Sequence, residues 1–278
     1  MLYVSLSTRL TDREEIKIKQ RLFMKQLVAT APQQLAFLDY EDRPLQPHEV
    51  YIKVQYASPK HGSEQMDFRG KSPFMDEQYD NEWQMFRPRK EDEARGIEFG
   101  KWNVGNMIVG EIIEKGSEVI GFNKGEIVCT YGGIRETHIV NAVNNHRLHK
   151  LSETTHWQSA LCYDPAQFAL GGVRDGKVLP GDFVAVFGLG AIGQLAVQMC
   201  KKIGANVVAI DPIENRRKIA MAYGASHLLD SMNSDTGMEL KKISSKRGMD
   251  VIMETSGSKD ALQQSLRGLA YGKNFLPG

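Results

Sequence analysis

The chain has almost no excess charge: 35 Lys and Arg against 34 Asp and Glu across 278 residues leave a formal net charge of +1. That balance argues against a partner held by bulk charge, whether nucleic acid or an anionic membrane, and fits a small-molecule ligand better. Cysteine is scarce. Cys129, Cys162 and Cys200 stand too far apart for a Cys-x-x-Cys metal knuckle or a disulfide framework, and such usage suits the cytoplasm. No apolar run approaches the roughly 18 residues of a membrane span. The opening MLYVSLSTRLTDREEIKIKQRLF also lacks the apolar centre and small-residue cleavage site of a secretory signal. There is no internal repeat or low-complexity tract. What remains is an ordinary globular composition, 41% hydrophobic and 25% charged, enough for one large or two ordinary domains.

One stretch carries most of the information: DFVAVFGLGAIGQLAVQMCKKIGANVVAID, residues 182–211. FVAVF is a continuous apolar run, the pattern of a parallel strand buried on both faces. Gly188, Gly190 and Gly193 follow at G-x-G-x-x-G spacing. The three serve a tight turn, the approach of a pyrophosphate to the backbone, and close packing of helix on strand. A helix from Ala191 to Ile203 then aims its first N–H groups, around Ala191 and Ile192, at the phosphates. The strand 206–210 ends on Asp211, 18 residues beyond Gly193, where a carboxylate accepts hydrogen bonds from the adenine ribose hydroxyls and repels a 2′-phosphate. The cofactor is expected to be NAD rather than NADP, although Arg216 and Arg217 lie near enough in sequence to attract a phosphate.

Before this stretch, short strand patterns recur at 26–29, 49–56, 107–114, 126–130 and 137–140, marking a β-rich region. The span 67–102 is polar, aromatic and irregular, with Phe74, Tyr79, Trp83, Phe86 and Trp102 among charges, and reads as a long loop. The first convincing strand pattern begins at Met24, so residues 1–23 are expected to be an N-terminal extension, with Met24 as an alternative start. After Leu179-Pro180-Gly181-Asp182 the chain alternates strands and helices: a third strand near 227–229, a helix near 237–246 and a fourth buried strand at 250–254. Such βα units build a parallel, doubly wound sheet. The domains are therefore set at 1–23, 24–178 and 179–278.

The P-G-D approach to G-x-G-x-x-G (179–193), Asp211 with Arg216, Gly224-Ala225 and the G-x-D-V-I-x-E-x-x-G pattern at 248–257 together resemble the medium-chain dehydrogenase/reductase family, the zinc alcohol dehydrogenase superfamily. GEIIEKGSEV (110–119) and GFNKGE (121–126) add to the likeness, which spans Met24 to about Tyr271. It implies an α/β chain with a GroES-like catalytic domain, a Rossmann nicotinamide-binding domain and a cleft between them. The implied substrates are alcohols, polyols, sugars, aldehydes or ketones.

The family's metal positions are altered. Its first ligand, a Cys of a C-G-[ST]-D-like motif, falls on His61 of His61-Gly62-Ser63-Glu64. The His and Glu of its G-H-E-x-x-G motif fall on Asn106 and Met107, which are poor zinc ligands, and its last acid or cysteine falls on Asp164. No metal is expected. Proton exchange then rests on a side chain, and His61 is the candidate, with Ser63 as relay and Glu64 or Asp164 orienting the imidazole. Lys60 and Tyr56 are reserve donors. The C-terminal edge of the sheet reads as incomplete, since the family continues beyond the point where this chain stops at Gly278, and a homodimer is expected only if those edge strands are present. The leading reading is an NAD-dependent oxidoreductase acting on a secondary alcohol, polyol or sugar-type carbonyl without the usual zinc. Two others stand beside it, a zinc-dependent polyol dehydrogenase and a cofactor-binding remnant without turnover.

Overall fold

The computed structural model describes residues 24–93, 96–152 and 156–277. The expected extension 1–23 lies outside them. The chain divides into two compact units between Leu161 and Cys162. The change of pattern at Leu179 thus falls inside the second unit, after its first helix.

In the first unit, β1 (Met24–Ala31) and β2 (Gln34–Tyr40) form a hairpin. The strands β3 (Glu49–Ser58), β6 (Met107–Lys115), β7 (Ile127–Tyr131), β8 (Thr137–Asn141) and β9 (His149–Lys150) form an antiparallel sheet in the order β8-β3-β6-β7-β9. Its core comes from alternating inward residues, Val50 and Ile52 of β3 against Ile108 and Ile112 of β6, closed by Val119, Val128 and Leu148. Helix α1 (His61–Phe68) leaves the end of β3.

The span expected as loop is partly ordered. A short 3-10 helix, Pro73–Met75, leads into an antiparallel hairpin of β4 (Glu77–Asp80) and β5 (Met85–Pro88). Arg87 holds it, bonding Asp80 at 3.1 Å and Glu93 at 2.7 Å. Phe74, Tyr79 and Phe86 pack together, with ring centroids 5.3–5.4 Å apart. Sequence alternation fails to announce these strands because neither has a buried face.

The second unit begins with α2 (Tyr163–Asp175). It continues through β10 (Phe183–Phe187), α3 (Ala191–Ile203), β11 (Asn206–Ile210), α4 (Glu214–Ala222) and β12 (His227–Leu229). Then come α5 (Thr236–Ile243), β13 (Met249–Glu254), α6 (Lys259–Gly268) and β14 (Leu269–Pro277). All pairings in this sheet are parallel, in the order β12-β11-β10-β13-β14. Side chains alternate across it. Val184 and Val186 pack with α2 and α3 through Val173, Ala196, Val197 and Cys200, whereas Ala185 and Phe187 join Leu240, Met249 and Ile252 on the opposite face. That two-sided burial is why the strand reads as an unbroken apolar run, and it makes the sheet doubly wound.

From the sequence, the sheet is expected to lose its strands after 250–254. The structure corrects this by one strand, since Leu269–Pro277 pairs with β13 along Val251–Glu254. Its pattern is interrupted by Gly272 at φ +70° and carries no apolar run, which hides it from periodicity.

Candidate active site

The strand order reverses around β10, which has β11 on one side and β13 on the other. Such a switch point, at the carboxyl ends of the strands, is the usual ligand position of open α/β sheets. The three glycines of the first loop do three different things. Gly188 turns with φ +84°, and a Cβ there would stand 2.7 Å from the backbone nitrogen of Ser256 in the loop after β13. A Cβ on Gly193 would lie 1.9 Å from the carbonyl oxygen of Gly188, so only glycine lets α3 pack this close. A Cβ on Gly190 would meet nothing within 4 Å. Glycine at that position leaves open space directly before the helix, as an approaching pyrophosphate requires. Gly190 is also the N-cap of α3 and offers no side-chain cap, so the first-turn N–H groups keep no intrahelical acceptor. Exposed Ala191 and half-buried Ile192 occupy that turn. The cradle thus fits a dinucleotide.

Asp211 lies 2% exposed at the end of β11. Its Oδ2 accepts the backbone N–H of Leu189 at 2.8 Å, inside the glycine loop, and its Oδ1 accepts that of Ile213 at 2.8 Å. The carboxylate therefore fixes the loop while Oδ1 retains a further lone pair. Arg216 approaches Asp211 Oδ2 at 3.5 Å. Arg217 is turned elsewhere: it donates to the carbonyl of Asp211 at 2.6 Å and pairs with Asp230 at 3.2 Å.

Sequence reasoning passed over several residues here. Thr255 Oγ1 donates to the carbonyl oxygens of Gly188 at 2.8 Å and Phe187 at 3.0 Å, tying the loop after β13 to the glycine turn. Buried Glu254 accepts the N–H groups of Ser256 at 2.7 Å and Gly257 at 3.3 Å, which shapes the same loop. The E-x-x-G ending of the fourth strand pattern is the signal that marks them. Gln194, on α3, donates to the carbonyl of Arg216 at 2.8 Å and links the glycine loop to α4.

In the first unit, His61 is the first residue of α1, its side chain lying outside what the structure describes, and exposed Ser63 lies in the same turn. Glu64 accepts the backbone N–H groups of Lys60 at 2.5 Å and Gly105 at 2.7 Å. Asp164 belongs to the second unit, where it is 4% exposed in the first turn of α2.

Two of the positions aligned with the family's zinc ligands carry poor donors for a metal. Asn106 offers an amide, and Met107 is fully buried in β6, where its thioether packs in the core. Among the described residues, no three or more His, Cys, Asp or Glu side chains gather as a metal group. No helix among the described residues is long and apolar enough to cross a membrane.

Residues 191–276 match the family described as zinc-binding dehydrogenase, a stretch that includes none of His61, Asn106, Met107 or Asp164. D-guloside 3-dehydrogenase of Escherichia coli (strain K12) is 55% identical over 250 residues, which cover 90% of this chain and 71% of that protein. Among solved structures, an Escherichia coli oxidoreductase/dehydrogenase of unknown specificity superposes with a TM-score of 0.75 at 19% identity, covering 91% of this chain and 76% of its own. The 2R,3R-butanediol dehydrogenase of Bacillus subtilis gives a TM-score of 0.74 at 22% identity, covering 92% and 77%. The two structures speak to the fold alone. Fold, glycine cradle and the Escherichia coli relative agree, and the chain belongs to the medium-chain dehydrogenase/reductase superfamily of alcohol dehydrogenase-like, NAD(P)-dependent oxidoreductases.

Proposed function

We propose that the chain oxidises a secondary hydroxyl on a sugar ring, such as the 3-hydroxyl of a D-guloside, with NAD as the hydride acceptor and without a catalytic zinc. The observation that carries this reading is the cradle of Gly188, Gly190 and Gly193 closed by Asp211 in a chain 55% identical to a D-guloside 3-dehydrogenase. NAD is favoured over NADP by the ends of β11 and α4. Asp211 is an acid at the ribose position, Arg217 is spent on Asp230 and the Asp211 carbonyl, and Arg216 faces the same carboxylate that would oppose a 2′-phosphate.

Bound nicotinamide supplies the hydride acceptor. The protein's own task is to hold the donor carbon against it and to take the hydroxyl proton as the carbonyl forms. His61 accepts that proton and Ser63 relays it outward, an exchange that suits imidazole because its ordinary pKa of about 6.5 lies near neutrality. Asp164 carries the remaining catalytic assignment. With Asn106 and Met107 where ligands would stand, proton transfer falls to side chains rather than to a metal.

The test is reduction of NAD, followed at the nicotinamide absorbance band, with methyl D-guloside, other glycosides and simple polyols as donors. Turnover of a glycoside, loss of at least about 100-fold in His61→Ala, and NADH binding preserved in that variant are expected. Equal turnover in His61→Ala removes the proton-exchange assignment, and turnover that needs added zinc removes the metal-free one.

A further inference from the structure

His61 opens α1, and the backbone N–H of Lys60, immediately before it, donates to Glu64 Oε2 at 2.5 Å. Glu64 Oε1 accepts the N–H of Gly105 at 2.7 Å, 41 residues away in sequence. One carboxylate thus joins the start of α1 to the segment that leads into β6. Both ends are otherwise constrained. Lys60 is the N-cap of α1, so its backbone N–H has no acceptor within the helix, and Glu64 satisfies it. Gly105 sits at φ +134°, and a Cβ on it would stand 2.5 Å from the backbone nitrogen of Ile134. The next residue, Asn106, donates its backbone N–H to Ser58 at 2.9 Å and accepts that of Gly132 at 2.9 Å, which locks the segment to the end of β3.

Lys60 and Gly105 each stand one place before His61 and Asn106, the positions at which the zinc members of the family place ligands. A metal bound there would cross-link the same two segments that Glu64 joins. We propose that Glu64 is a positioning residue whose carboxylate takes the place of a metal cross-link, stapling α1, with His61 at its head, to the start of β6. The catalytic half of this proposal rests on the reading of His61 as the proton-exchanging side chain; the structural half does not.

The chemistry requires a carboxylate of this length. Both contacts come from N–H donors, and an ionised carboxylate accepts both with charge assistance. Its charge in the first turn also favours the helix dipole. An amide has one acceptor oxygen, so Glu64→Gln sets an NH2 group against a backbone N–H. Glu64→Asp is shorter by one methylene and spans only one of the two donors.

The experiment uses the full chain and variants Glu64→Gln, Glu64→Asp and Glu64→Ala, each melted with EDTA, with added zinc chloride and with neither. The wild-type melting temperature is expected to be the same in all three conditions. Glu64→Gln and Glu64→Ala fall by about 4 °C or more, zinc restores neither, and Glu64→Asp lies between. With methyl D-guloside well below the melting range, Glu64→Gln loses about tenfold or more in kcat while KM and the NADH dissociation constant stay within about threefold, the mark of a misplaced group rather than a looser fold. Wild-type protein that loses stability or turnover on chelation and regains it with zinc overturns the proposal, as does a Glu64→Gln variant that melts and turns over like wild type. Undiminished turnover in His61→Ala refutes the positioning of a catalytic histidine, while the melting curves decide the staple on their own.

Discussion

Gly190 and Gly193 are separated by two residues and answer opposite demands. At Gly193 the space is already full, with the carbonyl oxygen of Gly188 at 1.9 Å from where a Cβ would be. Gly193→Ala is therefore expected to push α3 off the sheet, lowering the melting temperature and abolishing NADH binding together. Asp211 combines both kinds of demand, since its oxygens hold Leu189 and Ile213 before any ribose arrives. Asp211→Ala is expected to weaken NADH about 10- to 100-fold by fluorescence titration, the loss of charge-assisted hydrogen bonds. NADPH should weaken less, so the preference between the two narrows. Unchanged preference would mean that Asp211 shapes the loop without reading the ribose. The thiols separate in the same residue-by-residue way. Burial pushes Cys200 up to about 12 and also raises Cys129, whereas Cys162 is exposed. A thiol reagent at pH 8 is expected to label one cysteine per native chain and three after denaturation.

Elements buried on both faces were the legible ones. FVAVF and the strand ending at Glu254 read directly as β10 and β13, and the helix expected from Ala191 to Ile203 has those bounds in the structure. Elements without a buried face were not. β4 and β5 hide in what reads as loop, and α1, HGSEQMDF, has no buried apolar stripe to reveal it, although its His61 and Ser63 were singled out by resemblance. Contacts between distant segments were equally invisible, because nothing local in the sequence pairs Glu64 with Gly105 or Thr255 with Gly188. The start of β3 has a pH signature of its own. Glu49 accepts hydrogen bonds from Arg43 at 2.5 and 2.7 Å and from the Gln46 N–H at 2.9 Å, and the Arg43 guanidinium holds its carboxyl at about 2 instead of 4.5. A depressed carboxyl pKa adds stability that is present above the ordinary value and lost as pH falls from about 4.5 toward 2. Glu49→Gln is expected to flatten that part of the curve of melting temperature against pH, and a curve parallel to wild type would contradict the assignment.

At the scale of the molecule, the proposed roles fall in different units. The glycine loop and Asp211 of the proposed dinucleotide site, with the loop after β13 beside them, lie in the second. The first carries His61 and Ser63 on α1, braced by Glu64. Cofactor binding is then expected to raise stability by linkage and to slow amide exchange first around 188–216, with protection growing as ligand exceeds its dissociation constant. Fold class and family were legible as wholes because parallel sheets and glycine loops write themselves into local sequence. The proposed substrate was not, since no local pattern in the chain marks a sugar-binding side chain. The proposed dinucleotide site is built on open space at Gly190, where a Cβ would touch nothing within 4 Å. The most direct measurement is an NADH and NADPH fluorescence titration of wild type and Gly190→Ala, with melting curves for both. Wild type binding NADH more tightly than NADPH, and Gly190→Ala folding with an unchanged melting temperature but at least about tenfold weaker NADH, is the expected result. Folded wild type that binds neither cofactor, or Gly190→Ala that binds NADH as well as wild type, would contradict it.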